Sequence, residues 1–112
     1  METNHRLFVF TNAKPGHDAA FNDWYDNTHL PQILALPMVV SAQRFEVQPD
    51  AAAGGEVAHR YLAVYEVAGD PADAQAAIAK GIADGSIEMR DVMDPSGPSR
   101  IVVRPLTDLR TE

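Results

Sequence analysis

From Arg6 to Thr11 the chain reads Arg-Leu-Phe-Val-Phe-Thr and breaks at Asn12-Ala13-Lys14-Pro15-Gly16. A short β-branched and aromatic run ended by proline and glycine predicts a strand, here with apolar side chains on both faces. From His17 to His29 the period lengthens. At the roughly 100° step of a helix, His17, Phe21, Trp24, Tyr25 and Thr28 share one side, and Asn22, Asp23, Asp26 and Asn27 the other. Pro31 removes a backbone donor and restricts Leu30, so the regular helix is expected to end near His29, with a further turn from Pro31 to Leu36 before Pro37.

Val39 to Val47 alternates as a second strand, with Val39, Ser41, Gln43, Phe45 and Val47 on one face and Val40, Ala42, Arg44 and Glu46 on the other. The small residues from Pro49 to Glu56 predict a long hairpin connection. A third strand follows from about His59 to Val67, with Tyr61, Ala63, Tyr65 and Val67 on one face and Leu62, Val64 and Glu66 on the other. Asp70 reads as an N-cap with Pro71 in the first helical position. That helix runs from Ala72 to Asp84, burying Ala74, Ile78 and Ile82, and ends at Gly85. After an irregular stretch, Ile101-Val102-Val103 between Arg100 and Arg104 predicts a fourth strand.

The order is βαββαβ. Two βαβ halves with right-handed crossovers give a ferredoxin-like α+β sandwich, both helices on one sheet face and the first and third strands central. One such domain is expected to span residues 1–112. Because the strands are apolar on both faces, the uncovered sheet face predicts an interface, most simply with a second copy of the chain. The expected assembly is therefore a homodimer with a barrel-like interior.

Length sharpens this expectation. With 112 residues, little interior is left once the core is filled, so a sizeable ligand cavity is expected to need the second subunit. Hydrophobic residues make up 46% and charged residues 22%, a globular composition far from that of disordered chains. Sixteen acids against nine bases give a formal charge of −7, the wrong sign for nucleic acid or an anionic membrane. There is no cysteine, hence no disulfide, thiol nucleophile or thiolate metal site. The opening residues Met1 to Phe8 show no basic segment followed by a long apolar run, and no stretch reaches the roughly 20 apolar residues of a membrane span. The expectation is a cytoplasmic protein with neither nucleic-acid nor membrane partners.

The candidate chemistry is sparse. His29 has the side chain whose ordinary titration lies nearest working pH, and Asp26, three residues earlier, is within helical reach to orient it. It reads either as a general acid or base, or as an imidazole capping carbonyls at the Pro31 break. Trp24 and Tyr25 fall on the core stripe; the Tyr25 hydroxyl needs a partner or a cavity. Arg44, on a mostly apolar face, either pairs with an acid such as Glu46 or Glu66 or takes an anionic group of a ligand. Tyr61 and Tyr65 share a face, and their hydroxyls would polarise a carbonyl if that face turns into the barrel, or belong to the core if it meets the helices. His5, His17 and His59 read as surface or strand-end residues. No metal-ligand spacing, glycine-rich phosphate loop or serine nucleophile elbow is present.

The segment Phe21-Asn22-Asp23-Trp24-Tyr25-Asp26-Asn27-Thr28-His29-Leu30-Pro31, followed by Leu34, Pro37 and the strand Val39-Val40-Ser41-Ala42-Gln43-Arg44-Phe45, resembles an F-x-x-W-Y-x-x-x-H-L-P pattern with an S-A-x-R-[FY] strand. This pattern is similar to that of the dimeric α+β barrel superfamily, especially small EthD-like proteins, over residues 6–47. Its distant relatives include muconolactone isomerases, polyketide and olivetolic acid cyclases, cofactor-free quinol-type monooxygenases and haem-degrading enzymes, so the resemblance implies a fold and not one reaction. With it, the residues read as a cofactor-independent isomerase, cyclase or lyase acting on a small, mostly apolar cyclic or polyketide-like carbonyl compound. His29, Asp26, Tyr25 and Tyr65 are the candidate catalytic residues, and Trp24, Arg44, Phe8, Phe10 and Tyr61 the candidate substrate contacts. No cofactor and no metal is expected. The alternatives are a non-catalytic binding protein for a hydrophobic metabolite and a cofactor-free monooxygenase of a phenol or quinol.

Overall fold

The computed structural model describes residues 4–111; Met1, Glu2 and Thr3, on which part of the reading of the chain start falls, lie outside them. The elements are β1 (His5–Thr11), α1 (Asp18–Trp24), a π-helical turn (Tyr25–His29), α2 (Leu30–Leu34), β2 (Val39–Glu46), a 3-10 turn (Ala51–Ala53), β3 (Tyr61–Val67), α3 (Pro71–Asp84) and β4 (Ser99–Val103). The four strands form one antiparallel sheet in the order β2-β3-β1-β4, so the two most apolar strands are central, as the ferredoxin-like topology requires. Among the described residues no helix is long and apolar enough to cross a membrane.

Register separates the two sheet faces. Leu7 lies opposite Tyr65, Val9 opposite Ala63, and Thr11 opposite Tyr61. These residues turn toward the helices, and Leu7, Thr11 and the four odd-numbered residues from Tyr61 to Val67 are buried. Phe8 and Phe10 therefore face the other way. Along β2 the simple alternation fails at one point. An irregularity between Val39 and Ser41 lets Val39 face Val67 while Ala42 faces Tyr65 and Arg44 faces Ala63. One extra residue in a strand switches its facing, so Val39 and Arg44 both turn toward the helices where strict alternation would separate them.

The first helical arm also departs from expectation. It does not stop at His29. Pro31 cannot donate to a carbonyl four residues back, and its ring would crowd that carbonyl. The arm meets this by widening: the Leu30 amide donates to the Tyr25 carbonyl five residues earlier, and Pro31 then sits in the first turn of α2. Such π-turns are uncommon and concentrate at functional sites. The α3 helix begins as expected, with the Asp70 carboxylate accepting from the Ala72 amide, and it ends at Gly85, whose φ of 85° suits a residue without a Cβ. Ala74 is buried on this helix, whereas Ile82 keeps 38% of its surface exposed because it borders a cavity.

Candidate functional site

Between the sheet and the helices lies a cavity of about 210 Å³ bordered by β1, β3, β4, the π-turn, α2, α3 and the segment that leads into β4. It exists within one chain, which corrects the expectation that a sizeable cavity needs a second subunit. The reason lies in the side chains: α3 presents Ala74, Gln75, Ile78 and Ala79 to the sheet, and its alanines are too small to fill the space beneath it. An engineered apolar cavity of ~150 Å³ takes up benzene. The volume here therefore suits a single ring with short substituents.

His29, Tyr25 and Tyr65 meet at this cavity. The π-turn presents Tyr25 and His29 on one side, their rings edge to face at 4.9 Å. Trp24 stacks on the imidazole at 4.6 Å. The Trp24 indole is itself anchored, its Nε1 donating to the Glu88 carbonyl at 3.1 Å, while Gln32 accepts from the Glu88 amide. Two side chains of the helical arm thus fix the segment that closes the cavity wall.

His29 is only 6% exposed, and its Nδ1 is buried without a hydrogen-bond partner. Burial disfavours the imidazolium and lowers its pKa to about 4. At neutral pH the ring is uncharged. Tyr25 and Tyr65 share a hydrogen bond of 3.0 Å between their hydroxyls. Burial raises both pKa values, and at Tyr65 the neighbouring Tyr25 adds to the effect. Both tyrosines stay protonated and remain hydrogen-bond donors. The face question left open by the sequence is thereby answered: the Tyr61 and Tyr65 face meets the helices, yet Tyr65 borders a cavity there.

Asp26 does not reach His29. The π-turn directs its carboxylate to the surface, where Arg44 Nη1 donates to it at 2.7 Å and Arg44 Nη2 donates to Asn22 Oδ1 at 2.9 Å. The acid that pairs with Arg44 is therefore neither Glu46 nor Glu66. The Arg44 guanidinium also lies 4.5 Å from the Tyr25 ring centre, 5.4 Å from Tyr61 and 5.6 Å from Phe21, a cation held over three aromatic faces. Tyr61 belongs to the same flank and donates to Asp18 at 2.6 Å. Arg60 joins Asp18 and Glu46 at 3.1 Å each.

Phe8 and Phe10 pack 6.4 Å apart on the opposite sheet face, away from the cavity. Trp24 supports His29 from behind and does not border the cavity. Sequence reasoning missed Thr11, Gln75, Met89, Met93 and Arg100, all of which line it. For Arg100 a signal existed: it stands two residues from Val102 on one face of a short apolar strand, opposite Val9. Among the described residues, no group of three or more histidine, aspartate or glutamate side chains is placed to hold a metal ion.

No protein-family model matches the chain, and no curated protein matches it in sequence. Two solved structures share its fold. An ethyl tert-butyl ether D (EthD) family protein from Bacillus halodurans superposes with a TM-score of 0.64 at 15% identity, over 92% of this chain and 99% of that one. A protein of unknown function from Nitrosomonas europaea gives 0.59 at 20% identity, over 98% and 96%. Both likenesses are of fold.

Proposed function

We propose that the chain is a cofactor-independent isomerase, cyclase or lyase that moves a proton on a small, mostly apolar cyclic carbonyl compound. One observation carries this reading: an uncharged, poorly solvated imidazole and a pair of protonated tyrosine hydroxyls meet at a single-ring-sized apolar cavity. His29 takes a proton from the carbon next to the carbonyl, while Tyr25 or Tyr65 donates a hydrogen bond to the carbonyl oxygen as it gains charge. The enolate is then reprotonated by the His29 imidazolium at another carbon, or it closes a ring or expels a group. A donor already aimed at the developing oxyanion in a site of low polarity is worth far more than the same donor in water. The low pKa has a cost: it weakens His29 as a base and makes the imidazolium a strong acid, so the return of the proton is fast.

The test uses cyclohex-3-en-1-one in deuterated buffer, following formation of the conjugated isomer by ultraviolet absorbance and deuterium uptake by NMR. The protein is expected to accelerate both, and His29→Gln to slow them by at least about 100-fold, the lower range for positioned acid/base groups. Unchanged turnover in a folded His29→Gln variant would sink the assignment. A second reading, a non-catalytic carrier of a hydrophobic metabolite, is favoured by the missing carboxylate behind His29; binding of the ketone with no acceleration by the unaltered protein would support it.

The functional unit in this proposal is a homodimer. On the sheet face turned away from the helices, Phe45 and Ile101 are exposed and Phe8, Phe10, Leu62 and Val64 only partly covered, an apolar surface that a second copy would bury. Sedimentation equilibrium at micromolar concentration is expected to give the mass of two chains, and Phe45→Asp to shift it toward one. The mass of a single chain for the unaltered protein would overturn the dimer.

A further inference from the structure

The cavity is apolar along most of its wall, but its polar groups are unevenly placed. Among the described residues no aspartate or glutamate borders it, although the chain carries sixteen acids. Arg100 does. It is the one arginine or lysine among the lining residues, placed there by the β1-β4 register, which sets it opposite Val9 on the helix-facing side of the sheet. Elsewhere the basic side chains that reach the core flank are in use: Arg44 with Asp26, Arg60 with Asp18 and Glu46, Lys14 with Asp91. Arg100 makes no ion pair and no side-chain hydrogen bond among the described residues. Its positive field nevertheless reaches Tyr25, where it opposes the effect of burial on the hydroxyl. A free, exposed guanidinium that lines the same cavity as the tyrosine pair and acts electrostatically on Tyr25 is arranged for a ligand that meets both.

We propose that Arg100 anchors the anionic end of the ligand, and that the cavity takes a single-ring organic acid whose carboxylate meets Arg100 while its carbonyl or hydroxyl end meets Tyr25, Tyr65 and His29. This rests on the reading of the cavity as the site for a small cyclic carbonyl compound and narrows its substrate to an acid. The chemistry fits the geometry in two respects. The planar guanidinium matches a carboxylate with two parallel hydrogen bonds. Its exposed position leaves the carboxylate at the solvent edge while the ring enters the apolar interior, so the anion is not fully stripped of water. The negative net charge would otherwise repel such a ligand, and Arg100 supplies the local exception.

The experiment compares binding of 4-hydroxybenzoate and its neutral isostere 4-hydroxybenzamide by calorimetry, with methyl NMR of Ile78 and Ile82 reporting occupancy of the cavity. The carboxylate is expected to bind at least about tenfold more tightly, the size of one charge-assisted contact. Arg100→Gln is expected to abolish that preference without weakening the amide, and Arg100→Lys to restore part of it. Arg100 is exposed on an edge strand, and an unchanged thermal midpoint in both variants confirms folding. Equal binding of the two probes by the unaltered protein, a preference that persists in Arg100→Gln, or no binding of either probe would overturn the proposal. Failure of the acid/base reading is seen separately. A carboxylate preference governed by Arg100 alongside an inert His29 leaves the anchor standing, whereas His29-dependent exchange on cyclohexenone without a carboxylate preference removes only the anchor.

Discussion

The two sides of Tyr25 hold opposite kinds of polar chemistry. On the flank toward β2, Arg44 satisfies Asp26 and Asn22 and covers three aromatic rings, while Tyr61 and Arg60 converge on Asp18. On the cavity side, His29 has an unpartnered buried nitrogen and no charge nearby to stabilise an imidazolium, and the two tyrosine hydroxyls have only each other. The flank uses most of its hydrogen-bonding capacity to hold the helical arm against the sheet, the buried Arg44 Nε being the exception. The cavity side keeps its capacity free, at a cost in folding stability that a purely structural site would not carry. A residue type is thus a weak guide to role, and what its neighbours leave unsatisfied is a better one.

The largest expected effect is on the cavity side. The folded-state pKa of His29 lies near 4, below the ordinary 6.5, so in acid the unfolded chain takes up a proton that the folded chain refuses. Stability from this group is full above pH 6.5 and falls as pH drops toward 4, by about 3 kcal/mol in total. Urea unfolding across that range is expected to show the slope in the unaltered protein and a shallower one in His29→Gln. Equal slopes would mean that His29 is solvated, and the contrast between the two sides would collapse.

On the flank, Arg44→Ala is expected to cost about 2 kcal/mol, the scale of a desolvated cation over aromatic rings, while leaving cyclohexenone exchange by the remaining folded protein unchanged within about a factor of three. A loss of exchange beyond that would join the two regions into one site. Tyr65→Phe breaks the shared hydroxyl pair, and the expected results are a stability loss of about 1 kcal/mol and exchange slowed by roughly tenfold. The smallest effect is expected for Asp26→Asn. Its carboxylate is more than half exposed, so stability should change by less than about 1 kcal/mol, with the rate unaltered. A rate collapse in Asp26→Asn would show that the carboxylate acts on His29 after all.

Much of the fold was legible because it depends on local patterns. The turn at Pro15-Gly16, the Asp70-Pro71 helix start and the stop at Gly85 are chemical punctuation, and each stands where the residues placed it. The misreadings arose where one residue altered a periodic count. Pro31 predicts an end to the regular helix near His29 and a separate further turn, but a single widened turn absorbs the proline and carries the helical arm on to Leu34. One irregularity near Val40 likewise moved Val39 to the other face from that expected. Of the site, the sequence shows His29, Tyr25 and Tyr65 as residue types able to move or donate protons, whereas Arg100 reads there only as a flank of a strand.

By itself the sequence determined the order of elements, the central position of β1 and β3, the two-sided apolar character of the strands and the set of groups able to titrate or donate. These follow from periodicities of about 2 and 3.6 residues and from turn chemistry, which act over a few neighbours. Only the tertiary structure decided which groups meet. Tyr25 and Tyr65 lie 40 residues apart and share a hydrogen bond; Asp26 lies three residues from His29 and serves Arg44 instead. Pairing across a sheet and the facing of a widened helical turn depend on register and on the packing of distant segments. Proximity along the chain carries no information about either.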